Sequence, residues 1–153
     1  MPAEDLIVPY SATSLEDATA VVHLVKTKEN DLTKQMVSGF YRDVEIGQPG
    51  ETESDLDRKE RELEGITKTK DEDIYNILEF HVDLDLEGFE DRDQQGQPTG
   101  IKLPYIVTIE EASREILSIR RNYEIGDPLR KKISYFVHFK FLPGLGFYGF
   151  GLI

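Results

Sequence analysis

The sequence predicts an α+β fold: an antiparallel sheet of four to five strands, preceded by two short helices, in a piece of a longer protein. Three observations lead there. The apolar spacing changes once, near residue 71, from a helical period to alternation. Four alternating or β-branched segments then follow at short intervals, joined by turn-rich connections of hairpin length. The chain is 153 residues long, enough for one domain with a core of its own. The expected organisation is a single domain over 1–153, with a helical part over 1–70 and an antiparallel β part over 71–153.

Taken in order, Ser14-x-x-Asp17 resembles a capping box, and the apolar stretch Ala20–Val25 behind it fits a strand or a helix. KENDLTKQMVSGF predicts a helix. Asn30 or Asp31 suits its N-cap, Leu32, Met36 and Val37 share a face, and Gly39 suits the position just past its end. IGQPGE over 46–51 reads as a turn. TESDLDRKERELEG then predicts a second helix, with Asp55/Lys59 and Asp57/Arg61 one turn apart and a thin apolar stripe of Leu56, Leu63 and Ile66. From Tyr75 the period is two. Leu78, Phe80, Val82, Leu84 and Leu86 alternate with Glu79, His81, Asp83, Asp85 and Glu87, which predicts a strand with one buried and one wet face. DRDQQGQPTG is a long polar loop, and LPYIVTI and EILSIRRNY form a hairpin with Tyr105, Val107 and Ile109 on one face. GDP at 126–128 marks the next turn. KISYFVHFKFL, rich in aromatic and β-branched residues, predicts a last strand with Ile133, Tyr135, Val137, Phe139 and Phe141 facing one way.

Composition narrows the chemistry. Cysteine is absent, which excludes disulfides, thiolate metal sites and cysteine nucleophiles. The N-terminal stretch lacks the basic-then-apolar order of a signal peptide, and no run reaches the ~18 apolar residues of a membrane span. The net charge of −12 is uneven: residues 1–110 hold 11 Lys/Arg against 26 Asp/Glu, and residues 111–153 hold 7 against 4. An acidic body repels nucleic-acid phosphates, so tight DNA binding is not expected. Arg120, Arg121, Arg130, Lys131 and Lys132 are candidates for contact with an acidic partner, as are Phe147, Tyr148 and Phe150 for apolar contact. The apolar C-terminal run, without a polar tail, predicts a segment of a longer protein.

The motifs that carry chemistry are few. Gly144–Gly149 reads G-L-G-F-Y-G, the letters of a dinucleotide loop, but no helix and no acidic residue follow, and aromatics crowd the place of the pyrophosphate. Close packing at a sheet exit is the better reading, and no cofactor is expected. Asp83–Gly88 opens like a calcium loop, yet its twelfth position is Gln94 and its flank is a strand. His81, Asp83 and Asp85 remain as metal-ligand candidates at i,i+2 spacing, against the plainer reading of a solvated strand face. Neither His23 nor His138 has an orienting carboxylate in the local sequence. Neither G-x-S-x-G nor G-x-x-x-x-G-K-[ST] occurs, so no catalytic residue is assigned and no enzymatic activity is expected.

The segments EFHVDLDLEGFED, GIKLPYIVTI, ILSIRRNY and DPLRKKISYFVHFKFLPGLGFYGFGLI, with VPYSATSLEDA and VSGFYRDVEI upstream, together resemble the portal proteins of short-tailed bacteriophages and related prophages. The likeness runs from Asp5 to Ile153. It implies a structural segment of the wing-like body of a portal subunit, in a ring usually of twelve copies at one capsid vertex, with DNA passing through it. The partners it implies are other portal subunits, terminase, scaffold and head-tail connector proteins. The location it implies is the virion portal vertex, and the bacterial cytoplasm during assembly. Two other classes stay open: a metal-dependent enzyme or binding module using His81, Asp83 and Asp85, and a peripheral module whose apolar tail leads into a membrane segment.

Overall fold

A computed structural model of the chain describes residues 5–15, 17–48, 63 and 74–137. The elements are β1 (Leu6–Ile7), β2 (Ala20–Lys28), α1 (Glu29–Val37), β3 (Ile74–Leu84), β4 (Leu103–Glu110) and β5 (Ile116–Arg121). The strands form one antiparallel sheet in the order β1-β2-β3-β4-β5, with Leu6 opposite His23 and Ile7 opposite Val22 at its first edge. The α+β class therefore holds, but two strands precede the helix. The region expected to be helical, 1–70, supplies β1 and β2. The second expected helix lies outside the described residues except for Leu63. By its contacts the chain forms two interleaved compact units, Val25–Leu78 with Thr108–Ser118, and Met1–Leu24 with Glu79–Val107 and Ile119–Ile153.

The ambiguous stretch after Asp17 is a strand. The capping-box pattern does form its reciprocal bonds, Ser14 N–H to Asp17 Oδ1 at 2.7 Å and Asp17 N–H to Ser14 Oγ at 3.3 Å. They close a turn, and no helix follows. The Thr13 hydroxyl and the Ser14 backbone hold the Asp17 carboxyl down at about 2. Val21, Val22, Val25 and Thr27 then favour the extended chain, whose pleat suits β-branched side chains.

In the unit around α1, Leu32 is fully buried and packs with Tyr41, Tyr75, Ile77 and Leu117, with Val25, Met36, Val44 and Ile46 at the margin. Val37, expected on that face, is 85% exposed; the narrow contact is made by Leu32 and Met36. The helix begins at Glu29, without a side-chain cap from Lys28. Asp31 pairs instead with Lys34 at 3.0 Å. The C-terminus follows expectation. Gly39 takes φ +75°, its N–H reaches Met36 O at 3.0 Å, and Phe40 N–H reaches Gln35 O at 2.9 Å, the two bonds of a Schellman end.

One buried carboxylate organises the far side of this unit. Glu110, 1% exposed, ends β4. Its oxygens accept from Gly47 N–H at 3.1 Å, Ala112 N–H at 3.0 Å, Ser113 N–H at 2.7 Å and Ser113 Oγ at 2.6 Å. Burial pushes its pKa up, but the hydroxyl and the three amides together outweigh that and hold it below the ordinary 4.5. Gly47 permits the approach: a Cβ there would lie 2.7 Å from the Ala112 Cβ.

In the other unit, Val21, Leu103, Tyr105 and Val107 are buried. The polar loop DRDQQGQPTG after β3 conceals a small hairpin. Arg92 bridges Pro98, and Asp93 Oδ1 accepts from Gln95 and Gln97 N–H at 2.8 and 2.9 Å. The expected last strand is not formed over 131–137. Ile133 N–H bonds Asn122 O at 3.0 Å, and one such bond does not make a ladder. Tyr135 and Val137, expected on one face, are 59% and 76% exposed, and Phe136 between them packs against His23 and His81; Phe139 and Phe141 lie outside the described residues.

Two outcomes check this account by denaturation. Leu32→Ala is expected to cost about 2–5 kcal/mol, whereas Val37→Ala stays within about 0.5 kcal/mol. Glu110→Gln is expected to cost about 2–4 kcal/mol, because an amide cannot accept from donors at both of its ends. Glu110 also sets an acid limb. With its folded pKa depressed, the contribution is complete above 4.5 and is lost as pH falls through the lower folded value. The Gln variant should lack that part of the acid dependence.

Candidate functional site

Strand β3 does not divide into a buried even face and a wet odd face. Tyr75, Ile77 and His81 are 6%, 1% and 4% exposed, and all three have odd parity. Phe80 and Val82 are only half-buried. The odd-numbered side chains are the covered ones, Tyr75 and Ile77 by the Leu32 core and His81 by the rings of Tyr135 and Phe136, so alternation in sequence does not mark the solvent face.

His81 is thereby the centre of a cluster. Its ring lies 5.0 Å from that of Phe136 and 5.7 Å from that of Tyr135, centroid to centroid. Phe136 also touches His23, at 5.7 Å. His23, on the neighbouring strand β2, brings Nδ1 to 3.2 Å from Glu79 Oε2. The carboxylate that orients His23 thus comes from a position 56 residues away, across a strand pair that no local pattern announces. Burial pushes the His81 imidazole below its ordinary 6.5, Lys132 and His23 act the same way, and Glu79 opposes them. Such a group can take up and release a proton, with consequences for whatever covers it.

The three metal candidates are not gathered into a ligand set. His81 is buried beneath aromatic rings, Asp83 is exposed, and Asp85 is exposed past the end of β3. Among the described residues no group of three His, Asp or Glu side chains could hold a metal ion. The calcium-like string Asp83–Gly88 is strand followed by a turn, closed by Phe89 N–H to Leu86 O at 2.9 Å, with Gly88 at φ +84°. Its Gly88 N–H bonds Glu90 Oε1 at 2.9 Å, which is the main reason the Glu90 pKa is lowered.

The basic candidates have different surroundings. Arg121 and Lys131 are exposed, and Arg120 and Lys132 are half-buried. Arg130 is engaged within the chain: its guanidinium meets the carboxylate of Asp91, which is 6% exposed and also accepts from Thr99 Oγ1 at 2.7 Å. Arg130 adopts φ +45°, a left-handed conformation uncommon for arginine. Phe147, Tyr148 and Phe150, and with them the glycine string and His138, lie outside the described residues. No known family, curated protein or solved structure matches this chain.

Removing the cation would leave Asp91 buried and unpaired. Arg130→Ala is expected to cost about 3 kcal/mol in thermal or urea unfolding, and Arg121→Ala, at an exposed site, no more than about 0.5 kcal/mol. Equal effects would show that Arg130 is a surface charge and no internal partner.

Proposed function

We propose that the chain is a structural segment of the wing-like body of a portal subunit, from a short-tailed bacteriophage or related prophage, in the ring through which DNA enters and leaves the capsid. The observation that carries this reading is the likeness of text from Asp5 to Ile153, in particular EFHVDLDLEGFED and DPLRKKISYFVHFKF. It extends over strand, turn and loop alike.

Two physical features support it. The acidic body disfavours retention of DNA, as suits a conduit, and the basic excess of 111–153 offers a neighbouring subunit a complementary surface. The unit that includes Ile119–Ile153 also leaves Ile119, Ile125, Leu129 and Val137 at 47%, 85%, 85% and 76% exposure. Apolar side chains of this kind suit burial against other parts of a large assembly. In this reading the partners are other portal subunits, terminase, scaffold and connector proteins, and the location is the portal vertex.

The test is electron microscopy of the protein produced from its complete reading frame, joined to inspection of the neighbouring genes. Annular particles with a central channel, and an adjacent terminase gene, are the expected result. A non-annular particle, or a reading frame that continues into a membrane-spanning segment, would sink the portal reading.

A further inference from the structure

We propose that residues 131–137 form a strap over the sheet that is closed when His81 is neutral and lifts when His81 takes a proton. The geometry supports this in three ways. His81 is 4% exposed, and the rings of Phe136 and Tyr135 on the strap lie against it. Phe136 also lies against His23, so one strap residue covers both imidazoles. Finally, the carboxylate whose charge acts on His81, that of Glu79, is already committed, since it bonds His23 at 3.2 Å.

The charged and titratable groups facing His81 are His23 from β2, Glu79 from its own strand, and Lys132 from the strap. A proton on His81 would therefore place a cation in a buried setting beside an ammonium and a second imidazole, with a carboxylate that His23 shares. An imidazolium against an aromatic face gains some attraction, but desolvation of a buried charge without a dedicated partner is the larger effect. Relief requires water to reach the ring. β3 cannot supply it, because it is hydrogen-bonded between β2 and β4. The strap is the weakly held element: it forms no strand, Ile133 N–H to Asn122 O is its backbone bond to the strand region among the described residues, and Tyr135 and Val137 remain largely exposed.

The direction follows from linkage. The open form binds the proton near the ordinary imidazole value of 6.5, and the closed form binds it lower. The open form therefore binds more protons in that interval and gains population as pH falls.

The test is amide exchange at Ile133 in the 153-residue chain, corrected for intrinsic rates, with the His81 titration followed by NMR. In the wild type the opening constant should rise about tenfold per pH unit below 6.5, until the closed form itself is protonated. A flat response overturns the strap. His81→Phe should abolish the rise, and a rise that persists assigns it to another group and overturns the proposal. Phe136→Ala reports independently of whether the first variant folds: Ile133 should lose protection at neutral pH, and His81 should titrate nearer 6.5 than in the wild type. An unchanged His81 midpoint would show that the strap does not cover it.

Discussion

Glu110 ends β4 with both carboxylate oxygens turned away from water, and four donors converge on them from two separate stretches of chain. Ala112 and Ser113 belong to the turn that reverses β4 into β5. Gly47 belongs to the segment that leads away from α1. One charge thus fixes the hairpin turn and the path of the chain behind the helix together. With that path set, Arg42 N–H bonds Leu117 O at 2.8 Å, and Tyr41 and Leu32 share a core with Tyr75, Ile77 and Leu117. The arrangement needs an ionised acceptor, since every partner donates. It also needs glycine at 47, where a side chain would collide with Ala112.

The sequence made legible those features that depend on neighbours along the chain. The turn at the end of α1 could be read from Gly39, because a left-handed residue after a helix is a local requirement. The β4–β5 hairpin could be read from its length and alternation. Misreadings arose where a distant partner decides. Alternation in β3 gave the strand but not its faces, because residues distant in sequence cover the odd-numbered positions and leave His81 as well buried as Tyr75. Residues 131–137 have the composition of a strand, yet strand formation needs an edge to pair with. Ser14-x-x-Asp17 does form the reciprocal bonds of its pattern, but such bonds can also close a turn that leads into a strand, so the pattern alone leaves strand and helix open for the stretch behind it.

The candidate site was legible only in its membership. His81 was singled out for its place beside Asp83 and Asp85, but the chemistry of its surroundings comes from β2 and from 131–137. Glu79 and Phe136, which define those surroundings, carry no motif. In the same way Asp91 and Arg130 are 39 positions apart in the numbering, and nothing local distinguishes that arginine from Arg120 or Arg121. The pairing with Asp91 is visible only in three dimensions.

The two rims of the sheet are treated unequally. β1 is two residues long, too short to recruit a foreign strand. At the opposite rim, Arg42 occupies successive carbonyls of β5, through its N–H to Leu117 O at 2.8 Å and its guanidinium to Ile116 O at 3.2 Å. Main-chain groups already taken in this way are closed to strand addition, a common route to unwanted aggregation. At these two carbonyls another chain would meet a side chain and an occupied acceptor, and any contact made there would depend on side-chain chemistry, which can be selective.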